Sequence, residues 1–186
     1  NGGVVRVVGL AGNPGRIERN GATGGYTITQ TSGTFHALYY EFYNTITNGI
    51  TLSGGSIDAT NNFSNGSFNT GSGTQYLNLT GLTIAAITAD NVTFGVGPTY
   101  NVTRTAGTGT ITFEDASGNL AGAAYENDGG VLIDWTFPGG VYWDAGAGTS
   151  AWSDALNWRG NTKPDNTNNV ILKHDFVAGA YTVNIN

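Results

Sequence analysis

The sequence predicts an all-β chain of short stacked strands, a parallel β-helix or β-solenoid. Three observations lead there. Apolar residues alternate with polar ones in short runs bounded by Gly, Asn and Ser, the pattern of strands with one buried face. Charged residues are 11% of the 186, about half the share of an ordinary domain, and Thr, Asn, Gly and Ser fill their places. Helical spacing is almost absent, because few stretches of a dozen residues lack those poor helix formers.

The strands follow in order. Residues 4–10 (VVRVVGL) read as a buried strand. Next come 25–30 and then 35–43, the latter rich in aromatics: Phe35, Tyr39, Tyr40, Phe42 and Tyr43. From about Ile46 to Trp135 the runs shorten, giving strands at 49–52, 56–59, 67–69, 76–79, 82–84, 91–94, 100–103, 110–113 and 131–135. Strands this short bury little as isolated hairpins. Stacked as rungs, each covers the face of the last, and Asn and Thr ladders line the turns. A three-strand coil would take roughly 20–30 residues, with rungs about 4.8 Å apart and about four rungs in the middle of the chain. An antiparallel β-sandwich also uses short strands and Gly-rich turns, and it is the alternative.

Two units are expected: a solenoid-like one over 1–137, with its main rungs at about 46–135, and the start of a second β unit over 138–186. The second opens on a segment holding three of the four tryptophans, Trp143, Trp152 and Trp158, followed by strands at 169–173 and 180–185. The absence of Met leads to the expectation that the chain is a segment of a longer, processed protein.

Charge narrows the partners. The net charge is −6, and the seven basic residues (Arg6, Arg16, Arg19, Arg104, Arg159, Lys163, Lys173) are scattered. Nucleic acids and anionic membrane surfaces both call for a massed cationic patch, so neither is expected. No apolar run reaches the ~18 residues of a membrane helix. Without Cys there are no disulfides and no thiol chemistry, so stability rests on packing and backbone hydrogen bonds.

The Trp-rich opening carries a resemblance. Trp143, Gly146, Trp152-Ser153-Asp154, Asn157-Trp158, Gly160, Pro164-Asp165 and Val170-Ile171 resemble a recurring element of very large secreted bacterial proteins. Such elements occur in autotransporter-like passenger repeats and in surface proteins of Bacteroidetes-like bacteria exported by the type IX route. The likeness covers about 35 residues, and residues 15–135 are similar in style. It implies a β-solenoid displayed outside the cell, with a structural or adhesive role and no chemistry. The unpaired ends of an open solenoid lead to neighbouring domains of the same chain or identical subunits as expected partners, and a carbohydrate-binding β-helix, the alternative reading, would add surface glycans.

No catalytic, cofactor or metal site is expected from the residues themselves. Trp143, Trp152 and Trp158 read as the plug of a small core, with a sugar-stacking platform as the other reading. Polysaccharide-cleaving β-helices need paired carboxylates. Asp58, Asp90, Glu114, Asp115, Asp128 and Asp134 lie in separate segments, except for Glu114 and Asp115, which as strand neighbours point to opposite faces. Residues 115–119 (DASGN) alternate like a small calcium loop without its later acidic ligands, so calcium at Asp115 is only a weak candidate and an Asp/Asn/Gly turn the stronger reading. His36 and His174 stand apart, with no Cys to complete a zinc site. Asn-x-Ser/Thr sequons at Asn62, Asn65, Asn78, Asn91 and Asn101 follow from composition and read as turn residues.

Overall fold

The computed structural model describes residues 3–136, 140–143, 145–158, 161–166, 169–172 and 182–184. The first coil comprises β1 (Val4–Val8), β2 (Gly15–Ile17) and β3 (Tyr26–Gln30). The second holds β4 (Thr34–Leu38), β5 (Tyr40–Phe42) and β6 (Thr45–Leu52). The third holds β7 (Ser56–Ser64), β8 (Gly66–Thr70) and β9 (Gln75–Asn78), and the fourth β10 (Ile87–Asp90), β11 (Val92–Val96) and β12 (Tyr100–Arg104). The fifth coil has β13 (Ile111–Glu114), a bridge at Ser117 and β14 (Asn127–Asp128), and β15 (Ile133–Thr136) starts another turn.

Each strand pairs in parallel with its equivalent one coil away, which makes the chain a β-solenoid of three faces and excludes the sandwich. Face 1 runs β1-β4-β7 and then β10-β13-β15. Face 2 runs β2-β5-β8-β11, and face 3 runs β3-β6-β9-β12-β14. The two ladders of face 1 meet where β7 bulges: Phe35 pairs with Ile57, but Ala37 pairs with Asn62. Past the bulge the stack resumes, with the Asn65 N–H donating to Asp90 O at 2.7 Å and the Asp90 N–H to Ser64 Oγ at 2.9 Å.

Period-2 alternation turns into ladders of like residues inside the coil. Phe42, Phe68 and Phe94 are register partners on face 2, and the rings of Phe68 and Phe94 stack at 5.3 Å and 5°. Ile28, Ile50, Leu77 and Val102 do the same on face 3, and Ile87, Ile111 and Ile133 on face 1. Phe113 stacks on Trp135 at 4.7 Å, and the Tyr142 hydroxyl donates to Trp135 O. Close approach selects glycine at Gly66, where a Cβ would lie 2.1 Å from the buried Tyr40 ring.

Three strand expectations are corrected. The aromatic run 35–43 is two strands, because Tyr39 takes a left-handed conformation (φ 48°) and turns the chain from face 1 to face 2. Residues 82–84 make only the single bridge Thr83–Thr108. The first strand ends at Val8, after which a bridge between Leu10 and Asn13 closes a tight loop. The coils also begin at Val4, well before the short-strand region at 46–135.

Beyond the solenoid, β16 (Gly140–Tyr142) pairs in parallel with β17 (Asn169–Ile171). Of the strand expected at 180–185 only 182–184 are described, with Asn184 bridging to Ala151. Lys173, the last residue of the strand expected at 169–173, lies outside the described residues.

Candidate functional site

The corner between faces 1 and 2 is one residue long in three coils, and in the fifth it lies between Glu114 and the bridge at Ser117. Tyr39, Asn65, Asn91 and Asp115 occupy it with φ of 48°, 54°, 54° and 51°. A left-handed corner strains most L-residues, and Asn and Asp tolerate it best. Each corner N–H donates to the next rung: Tyr39 to Ser64 O, Asn65 to Asp90 O, Asn91 to Glu114 O and Asp115 to Thr136 O, at 2.7–3.2 Å. Side chains add a step, with Asn91 Nδ2 donating to Asn65 Oδ1 at 3.3 Å.

Beside this column, face 2 presents the outward row Arg16, Glu41, Ser67, Thr93 and Ser117, all register partners. Thr93 and Ser117 share a hydroxyl hydrogen bond at 3.0 Å, and Ser67 Oγ accepts from Asn69 Nδ2 at 2.8 Å. Arg16 lies 4.0 Å from Glu41, pairs with Glu18 at 2.6 Å and covers the Tyr43 ring at 4.0 Å. The 10–14 loop adds an apolar wall of Leu10 and Pro14. Between wall and rungs runs an open groove of about 240 Å³, lined by Tyr39, Glu41, Asn65, Ser67, Asn91 and Thr93.

The tryptophans lie elsewhere and divide by role. Trp143 and Trp158 are fully buried and meet edge to face at 5.1 Å. Trp152 is half-buried, with its ring 4.7 Å from that of Trp158, whose Nε1–H donates to Trp152 O at 2.9 Å. Buried Asn157 ties the segment down through Thr149 Oγ1 at 2.7 Å and Ala151 O at 3.1 Å. Trp143 and Trp158 are thus core residues, and Trp152 alone of the three offers a partly open ring.

The carboxylates are less dispersed than the sequence suggests. Asp90 and Glu114 are direct register partners on face 1, a pairing hidden by their separation of 24 positions in the chain. Neither lines the groove. Asp115 forms a corner, and among the described residues no group of three His, Asp or Glu side chains could hold a metal ion. His36 has a carboxylate neighbour after all: the β7 bulge sets Asp58 Oδ2 3.5 Å from its Nδ1. Asp58 also accepts from the N–H groups of Asn61 at 2.7 Å and Thr60 at 3.1 Å. Its carboxyl is held below the usual range, chiefly by the Asn61 N–H against the opposing effect of burial. His174 and Gly160 lie outside the described residues.

The groove was not legible from sequence, since it draws together residues from three coils and a loop. Its signal was present in Asn65 and Asn91, which stand 26 residues apart and each precede a strand. Among the sequons, Asn101 is fully buried, with its Nδ2 donating to Leu120 O at 2.6 Å and Gly122 O at 2.9 Å. No family model, no curated protein and no solved structure matches the chain.

Proposed function

We propose that the chain is a structural or adhesive segment of a large extracellular bacterial surface protein. The observation that carries this reading is the parallel stack of coils, in which weakly charged polar ladders cover a core of stacked aromatic rings. Each added coil continues the ladders and extends the core, which gives a stiff rod whose stability grows with length. A coat of hydroxyls and amides depends little on ionic strength, because it carries few charges to screen. The resemblance of the Trp143–Ile171 segment to elements of secreted surface proteins points the same way. Cleavage of polysaccharide is less well supported, since the rung partners Asp90 and Glu114 do not line the groove.

Immunogold electron microscopy of intact source cells, with antibodies against this chain, tests the proposal. Label on unpermeabilised cells, on fibres or a surface layer, is the expected outcome. Label that appears only after permeabilisation would refute it.

A further inference from the structure

We infer that the groove beside the Tyr39–Asn65–Asn91 corner binds a neutral, linear glycan lying along the solenoid axis. This inference names the ligand of the adhesive role proposed above and rests on that reading. Its first support is the groove's mixture of groups. Among the described residues, the Tyr39 hydroxyl, Asn65 Nδ2 and the Ser67 hydroxyl hydrogen have no acceptor, and Asn91 Oδ1 has no donor. Unused donors and acceptors side by side suit sugar hydroxyls, which both give and accept.

Its second support is repetition. Ser67 and Thr93 are register partners, and Asn65 and Asn91 are linked across the same two rungs, so equivalent polar pairs recur about every 4.8 Å. A polymer of like units can meet like contacts at each step. Leu10, Pro14 and the Tyr39 ring give apolar surface for the C–H faces of sugar rings. Charge argues for a neutral ligand: among the described residues Glu41 is the lone carboxylate lining the groove, and Arg16 stands 4.0 Å from it. A peptide strand fits less well, because β5 and β8, the rungs in the middle of the groove, are paired on both sides and offer no edge there.

The test is binding of the whole chain to a panel of neutral oligosaccharides and to glycan-coated surfaces, compared with three variants. Tyr39→Asn removes the ring while keeping a residue that accepts the left-handed corner. Thr93→Val removes a hydroxyl without changing shape, and Trp152→Ala removes the rival aromatic platform. The expected result is saturable binding of at least one neutral glycan, weakened about tenfold or more by Tyr39→Asn, weakened by Thr93→Val, and unchanged by Trp152→Ala. Circular dichroism and melting confirm that the variants fold. Binding that survives Tyr39→Asn, or that is lost in Trp152→Ala, overturns the groove and leaves the adhesive role standing. Absence of binding to every glycan and surface overturns the inference, while the structural reading stands or falls separately by the immunogold labelling.

Discussion

Two buried tyrosines with the same side chain have opposite hydrogen bonding. The Tyr76 hydroxyl donates towards Asn69 O at 2.6 Å and lies 2.7 Å from Val96 O, so it links two coils. The Tyr40 hydroxyl is equally buried but has no partner among the described residues, and burial pushes its phenol well above the usual range. An unsatisfied buried hydroxyl costs about 1–3 kcal/mol. Tyr40→Phe is therefore expected to raise stability by about 1 kcal/mol, and Tyr76→Phe to lower it by about 1–2 kcal/mol. Urea titration of both variants checks the pair through opposite shifts in midpoint. At Asp58 the prediction is one of pH. A carboxyl whose pKa is lowered on folding contributes stability that is fully present above its unfolded value, about 3.9. That contribution is lost as pH falls through the folded value. Asp58→Asn should flatten the fall in stability between about pH 4 and pH 2 relative to the parent chain, as read by urea midpoints across that range.

At the scale of the element, corners rather than strands carry the information that the sequence conceals. Period-2 alternation was enough to place most strands, because a strand with one buried face writes that pattern directly. It could not show that Tyr39 breaks the aromatic run, since a left-handed tyrosine is uncommon and only the stacked coils hold it there. It also could not pair Asp90 with Glu114 or bring Asp58 to His36, because those contacts depend on coil length and on a bulge. Asn91→Gly should be nearly neutral at its corner, whereas Asn91→Val should cost about 1–2 kcal/mol, a difference that thermal melting resolves. Arg104 is a second concealed device. It is fully buried in β12, and its guanidinium donates to Leu82 O, Thr108 O, Gly109 O and Leu132 O at 2.7–3.2 Å, gathering loops from successive coils. Removing it strands several carbonyls, so Arg104→Met should destabilise by about 3 kcal/mol or more. Arg104→Lys should recover little, because one ammonium cannot span the fork. Denaturant unfolding of both variants measures this.

For the whole molecule, the sequence disclosed the fold class because a solenoid repeats its instructions. Coil spacing was harder to read. Register offsets in the solenoid range from 19 between Tyr26 and Thr45 to 30 between Val4 and Thr34, so no fixed period appears. The core absorbs that variation in its corners and in the β7 bulge while Phe42, Phe68 and Phe94 stay aligned. In the Trp-rich segment Trp143 and Trp158 are buried, and the partly open ring, Trp152, is distinguished from them only by the packing around Trp158. Parallel stacking in register is the claim on which the corner column, the groove and the rod all depend. The chain contains no cysteine, so an engineered pair can report on it without interference. Thr88 and Thr112 are register partners on β10 and β13, and the rung spacing of about 4.8 Å lies within the Cα range of a disulfide. The decisive measurement is oxidation of the Thr88→Cys, Thr112→Cys double variant, read by mass spectrometry beside a control with cysteines at 88 and 134, two rungs apart. Stacked coils predict rapid intramolecular closure of the first pair and little closure of the second. A first pair that stays reduced, or closes only between molecules, would contradict the parallel register.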